Sequence, residues 1–154
     1  MPIYLFTMMC YFDNWSLGMW CYLMLHGSYG IFWFAKDIIT PDFSFARPIS
    51  YLGVISSVST VLGPYSIAGF MVASGRSQAA QNPSPERVGI AGLMYIFGIV
   101  MMLCTDVHKY YILQENKRKK VKALISDGFA SRSRNLNYLG EILLYASFNV
   151  IAQV

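Results

Sequence analysis

The chain has 154 residues, of which 55% are hydrophobic, 16% aromatic and only 13% charged, and its mean hydropathy is +0.42. Soluble globular proteins carry about 25% charged residues, so this composition excludes an ordinary soluble protein and predicts an integral membrane protein. The net charge of +4 comes mainly from one basic block after an apolar segment, which indicates membrane orientation rather than a nucleic-acid partner. We expect a single all-α membrane domain, 1–154.

The apolar segments predict a helical bundle with an N-terminal interfacial piece. Residues 2–12 are apolar but too short to cross a bilayer, which needs about 20 helical residues. We therefore expect an interfacial segment there, followed by about four membrane-spanning helices at about 15–36, 49–73, 88–113 and 137–154. Within the first span, His26 is predicted to be a hydrogen-bonded packing residue. Within the second, Pro64 removes a backbone hydrogen bond and predicts a bend.

Several glycines and the three cysteines are predicted to take part in helix packing. Gly27 with Gly30, and Gly89 with Gly92, are predicted to provide surfaces for close contact between helices. The cysteines lie in apolar surroundings with no CxxC pair or His spacing. We predict buried free thiols and no metal site at the three positions, Cys10, Cys21 and Cys104.

Lys and Arg are shared unevenly among the connections between the predicted spans. The second connection (74–88) carries two, Arg76 and Arg87. The first and third carry ten: Lys36, Arg47, Lys109, Lys117, Arg118, Lys119, Lys120, Lys122, Arg132 and Arg134. Alternating spans put the first and third on one side, so the positive-inside rule places both termini on the less basic side. In the basic connection 114–136, four residues are predicted to contact anionic lipid headgroups: Lys117, Arg118, Lys119 and Lys120.

Polar side chains gather around the third connection. The sequence SRSRNLNYLGE at 131–141 supplies four of them, which share one face if they are helical: Arg134, Asn137, Tyr138 and Glu141. Asp106 and His108 close the third span. Ionisable groups at the edge of a span are costly, so these residues are functional candidates. The alternative is local pairing, Asp106 with Lys109 and Glu141 with Arg134, which would only anchor helix ends.

The segments TDVHKYYILQ and LISDGFASRSRNLNYLGEILLY resemble the C-terminal membrane domain of steroid 5α-reductase-like proteins, a family related to sterol reductases and isoprenylcysteine carboxyl methyltransferases. HGSYGIFWFAKDIITPDFSF and LGPYSIAG resemble the N-terminal half of relatives of this type. Leu136 stands where the family usually has Pro, and Asn135 where it often has His. The resemblance implies a pocket for NADPH, or for S-adenosylmethionine in the methyltransferases, formed by Asp106, Lys109, Arg134, Asn137, Tyr138 and Glu141.

Two functions follow from this resemblance. Active relatives continue beyond the position of Val154 with sequence that closes the pocket, so we expect an incomplete pocket here, with no bound cofactor and no catalytic residue. The first hypothesis is therefore a structural or accessory subunit, covered by other membrane subunits and lipids. A respiratory-type complex of the mitochondrial inner membrane is the preferred host, and the endoplasmic reticulum is the alternative location. The second hypothesis is an NADPH-dependent reductase or S-adenosylmethionine-dependent methyltransferase, acting on a lipid and completed by a partner chain.

Overall fold

A computed structural model describes residues 1–41, 48–131 and 133–153, apart from the side chains of residues 61, 62, 129 and 130. Within these ranges every secondary-structure element is a helix and no strand occurs, as the composition predicts. Arg47 and Arg132, two of the predicted basic-side residues, lie outside the described residues.

The N-terminal part of the chain forms a short helix followed by a long one. The short helix is α1 (Pro2–Phe12). The long helix begins as α2 (Leu17–Tyr22), passes through a π-helical turn (Leu23–Gly27) and continues as α3 (Ser28–Ile39). Because the three segments follow one another without a gap, they make one continuous helix over 17–39, where the first span is predicted.

The second predicted span is also a continuous helix with a wide turn inside it. α4 (Tyr51–Ser57) passes through a π-helical turn (Val58–Leu62) into α5 (Gly63–Ala73). Pro64 stands in the first turn of α5 and has no N–H to donate to the carbonyl four residues earlier. A π-helical turn lies directly before Pro64, and the bend predicted there stays a prediction.

The rest of the described chain contains one very short helix, a 3₁₀ turn and two longer helices. Ser84 begins the longest helix by accepting a hydrogen bond from the Arg87 N–H, and Pro85 follows at the first helical position. Lys120, in the left-handed conformation, ends that helix. The elements are α6 (Gln78–Gln81), α7 (Pro85–Lys119), a 3₁₀ turn (Gly128–Ser131) and α8 (Leu136–Ala152).

Two of these helices are long and apolar enough to cross a membrane, Tyr51–Ala73 and Pro85–Lys119. Only 6% and 22% of their most apolar windows are buried inside the protein. The core helix of a soluble protein would be mostly buried, so these exposed apolar surfaces are compatible with a membrane protein. Helices also occupy 17–39 and 136–152, where the other two spans are predicted, and their crossing of the bilayer stays a prediction.

The most extensive helix contact joins α7 to α8 through two facing glycines. A Cβ atom on Gly98 would lie 2.7 Å from the Gly140 carbonyl oxygen, and one on Gly140 would lie 2.6 Å from the Gly98 carbonyl oxygen. Only glycine allows backbones to approach this closely. Gly89 and Gly92 form no such contact with the described part of the chain, because a Cβ at either position would meet nothing within 4 Å.

α1 packs into the bundle beside the helix over 17–39 and α5. Leu5 and Met9 are fully buried there. A Cβ on Gly27 or on Gly30 would lie 3.5 Å from Pro2, so both glycines face α1, at the distance of an ordinary van der Waals contact. The position of α1 at a membrane interface stays a prediction.

The three cysteines are free thiols, but they differ in exposure. Cys21 is buried, as predicted, whereas Cys10 and Cys104 are exposed. The prediction is wrong for these two because apolar neighbours in a membrane protein often face outward, toward lipid, rather than toward the core.

Candidate functional site

A cavity of about 520 Å³ opens at one end of the bundle, between the end of α3, the C-terminal half of α7 and the first turns of α8. Small-molecule sites commonly enclose about 300–1,000 Å³, so this cavity has the size of a ligand site. It is lined by five of the six residues predicted from sequence: Asp106, Lys109, Asn137, Tyr138 and Glu141. Among the described residues, no group of three His, Cys, Asp or Glu is arranged to hold a metal ion.

Asp106 on α7 is held from two other helices. The Lys36 Nζ atom on α3 lies 2.6 Å from one carboxylate oxygen, and Asn137 on α8 donates its side-chain N–H to the other at 3.0 Å. The side chains of Lys36 and Asp106 are each 19% exposed, so water screens their attraction only partly. The predicted local pair of Asp106 with Lys109 is wrong, because the carboxylate points across the helix interface to a lysine 70 residues earlier.

Lys36 is a site residue that the sequence does not identify, as are Trp33, Asp37 and Tyr110 on the cavity wall. The sequence predicts only that Lys36 lies on the basic side of the membrane, because nothing in it identifies the acidic partner of this residue. A lysine at the end of an apolar span does signal the need for one. Its ammonium group also lies 6.0 Å from the ring centre of Trp33, one turn earlier on the same helix, within cation–π range.

Glu141 lies one turn beyond Asn137 on α8 and faces the same cavity. Among the described residues it makes no hydrogen bond and no ion pair, so the predicted pairing with Arg134 is not formed. Its carboxylate interacts electrostatically with both Asp106 and Lys36. A half-buried carboxylate without a bonded partner is available to a ligand.

Arg134 lies apart from the other predicted site residues. α8 begins at Leu136, so Arg134 occupies an exposed turn before the helix and does not line the cavity. The helical spacing that predicts a shared face therefore applies to Asn137, Tyr138 and Glu141 alone.

The four residues predicted to contact lipid headgroups are all exposed at the end of α7. Part of their charge is balanced locally, because Glu115 lies 2.8 Å from Arg118 and 3.1 Å from Lys119. Exposed pairs of this kind contribute little to stability and leave the surface basic. Their contact with anionic lipids stays a prediction.

The connection between α7 and α8 folds back onto His108. The His108 Nε2 atom lies 3.6 Å from an Asp127 carboxylate oxygen. Gly128, with a φ of 54°, adopts the left-handed conformation directly against the imidazole, where a Cβ would lie 3.0 Å from His108 Cε1. His108 thus anchors the connection outside the cavity, a role that sequence reasoning did not assign.

We expect Gly128→Ala to lower the free energy of unfolding by about 1–2 kcal/mol for the left-handed backbone, and further through contact with His108. Gly75→Ala is the matched control, because Gly75 has a φ of 71° and a Cβ there meets nothing within 4 Å. Thermal unfolding of both variants in detergent measures the difference. Equal losses would show that the His108 contact contributes nothing.

His26 is a buried packing residue, as predicted. Its Nδ1 atom lies 3.0 Å from the Tyr22 hydroxyl, one turn earlier, and its ring stacks on Phe148 of α8 with centres 4.6 Å apart. Only 2% of the residue is exposed. The hydrogen bond and the contacts of the ring with Tyr22, Tyr65 and Phe148 therefore account for a polar side chain in an apolar bundle.

Three tyrosines from three helices meet beside His26, whose ring centre lies 6.0 Å from that of Tyr65. Tyr65 on α5 donates to the Tyr145 hydroxyl on α8 at 2.6 Å, and the Tyr29 hydroxyl on α3 lies 3.2 Å from the same oxygen. The charge of Glu141 acts on Tyr145 and Tyr29. No sequence pattern predicts this network, because its members share neither a helix nor a motif.

These features define a class: a protein that is helical throughout its described secondary structure, with exposed apolar helices and a cavity with charged lining residues at an end of its bundle. The family DUF1295, described as proteins of unknown function, matches residues 52–154, and the chain belongs to it. The match includes α7 and α8, with Asp106, Asn137 and Glu141, and begins after Lys36. No curated protein and no solved structure matches the chain.

Proposed function

We propose that the cavity binds the cofactor of a lipid-modifying enzyme, NADPH in a reductase or S-adenosylmethionine in a methyltransferase. The observation that supports this most directly is the fixed position of Asp106 between Lys36 and Asn137, on the wall of a ligand-sized cavity. Groups held in place before a ligand arrives lose little entropy on binding. The resemblance of this region to steroid 5α-reductase-like proteins supports the same class of function.

We expect Asn137→Ala to weaken cofactor binding about tenfold, because it removes an amide from the cavity wall and frees one oxygen of Asp106. The measurement is a titration of the purified protein in lipid nanodiscs with NADPH and with S-adenosylmethionine, followed by calorimetry. Asn149→Ala is the control, because Asn149 is exposed further along the same helix. If neither cofactor binds the unaltered protein at millimolar concentration, the proposal is wrong.

Catalysis is tested separately from binding. The unaltered protein is incubated with a membrane lipid extract, alone and with native membranes that could supply a partner chain. A reductase would consume NADPH only when lipid is present, and a methyltransferase would form S-adenosylhomocysteine. Turnover that requires native membranes would support an enzyme completed by a second chain.

A second candidate, the structural or accessory subunit, is favoured by the surface of the helix Tyr51–Ala73. Only 6% of its most apolar window is buried within the chain, so nearly all of that surface is left for lipids or partner helices. We propose a respiratory-type complex of the mitochondrial inner membrane as host under this candidate. Native electrophoresis of mildly solubilised membranes tests it. Migration at the mass of one chain plus detergent would contradict it.

A further inference from the structure

The cavity combines carboxylates with aromatic rings in a repeated arrangement. Each of the three helices around it contributes one aromatic and one acidic residue, spaced three or four apart and therefore on one helix face. The pairs are Trp33 with Asp37 on α3, Tyr110 with Asp106 on α7, and Tyr138 with Glu141 on α8. Three walls therefore present the same two chemical groups to the enclosed space.

The charge of the lining is negative overall. Three carboxylates face two cations, Lys36 and Lys109, which leaves a formal charge of −1. Lys36 is already engaged by Asp106, and Arg134 lies outside the cavity. Lys109 is therefore the lining cation that no ion pair among the described residues engages. A ligand that carries several phosphates would meet repulsion here, whereas a cation would be attracted.

Aromatic faces together with a carboxylate are the groups that recognise an onium ion. The face of an aromatic ring is electrostatically negative and attracts a sulfonium or quaternary ammonium ion that is too large to be strongly hydrated. Glu141 supplies a carboxylate with no bonded partner among the described residues, three residues from Tyr138. The cavity thus offers both halves of such a site.

We infer that the cavity selects a ligand with an onium group, an inference that rests on the proposed function because it assumes that the cavity binds a ligand. Two sources share this chemistry. One is the sulfonium of S-adenosylmethionine, and the other is the quaternary ammonium of a choline lipid headgroup. NADPH has no onium group, and its phosphates are negatively charged. The inference therefore favours S-adenosylmethionine over NADPH as the cofactor.

The test compares ligands that differ by one positive charge, measured on the full chain in nanodiscs made of lipids without choline. S-adenosylmethionine is compared with S-adenosylhomocysteine, its uncharged thioether, and choline with dimethylbutanol, its uncharged analogue. We expect the charged member of at least one pair to bind at least tenfold more tightly. Glu141→Gln should remove most of that preference, whereas Glu86→Gln, at the exposed start of α7, should retain it.

The outcomes distinguish a failure of the inference from a failure of the proposed function. A preference for S-adenosylmethionine identifies a methyl-donor site, and a preference for choline identifies a lipid headgroup site. NADPH binding that is tighter than that of both charged ligands overturns the inference while the proposed function stands. If none of the ligands binds, both are wrong. Equal binding of the charged and uncharged members of both pairs also overturns the inference.

Discussion

Gly140→Leu is expected to separate α7 from α8 and to lower the free energy of unfolding by about 3 kcal/mol. The reason is that a Cβ at this position would lie 2.6 Å from the Gly98 carbonyl oxygen and 2.8 Å from the Met102 backbone nitrogen. Both are backbone atoms, which cannot rotate away as a side chain can. Because the two helices form two walls of the cavity, ligand binding should be lost together with stability.

Thermal unfolding in detergent measures this loss, and Gly92→Leu provides the matched control. Gly92 lies on α7, and a Cβ there meets nothing within 4 Å. Leucine is the better helix former by roughly 0.5–1 kcal/mol, so the control should be neutral or slightly stabilised. If Gly140→Leu melts at the same temperature as Gly92→Leu, the close contact of α7 with α8 does not exist.

Asp106→Ala should have the second largest effect, a loss of about 2 kcal/mol in the free energy of unfolding. The substitution leaves the ammonium of Lys36 partly buried with no ion partner and removes the acceptor of the Asn137 amide. Asp106 connects α7 to α3 through Lys36 and to α8 through Asn137, so the cavity between these helices should lose its ligand affinity as well. Thermal unfolding and cofactor titration of the same preparation measure both effects.

A double-mutant cycle isolates the ion pair from the rest of that effect. Lys36→Met and Asp106→Asn are combined, since asparagine retains an acceptor for Asn137, and we expect a coupling energy of about 1 kcal/mol. Glu115→Gln is the control because it breaks exposed pairs with Arg118 and Lys119, and little change is expected. Additive effects of the two cavity substitutions would show that the ion pair does not stabilise the fold.

The helices could be predicted because hydropathy is a local property of the sequence. The apolar segments at 49–73 and 88–113 correspond to the helices Tyr51–Ala73 and Pro85–Lys119. The pairing of helices depends instead on residues that are distant in the sequence. Gly98 and Gly140, which face each other across α7 and α8, are an example. They lie 42 positions apart, and the sequence alone does not distinguish them from Gly89 and Gly92, where an added Cβ would meet nothing within 4 Å.

The candidate site could likewise be predicted only where its residues are close together in the sequence. The cluster at the start of α8 could be found because Asn137, Tyr138 and Glu141 share a helix face, and a family resemblance drew attention to it. Arg134 was included by extending that spacing backward past Asn135, where the helix has not yet begun. Lys36 was missed because an ion pair between distant helices leaves no mark in the sequence of either one.

The π-helical turn at Leu23–Gly27 has a consequence for the geometry of Asp106. A π-helical turn holds one residue more than an α-helical turn, and each α-helical residue turns the chain by about 100°, so an α-helical Leu23–Gly27 would rotate everything after it by about 100°. Lys36 would then point away from Asp106, while the position of α2 would not change. The wide turn, as much as the identity of Lys36, therefore sets whether this carboxylate has a counter-ion.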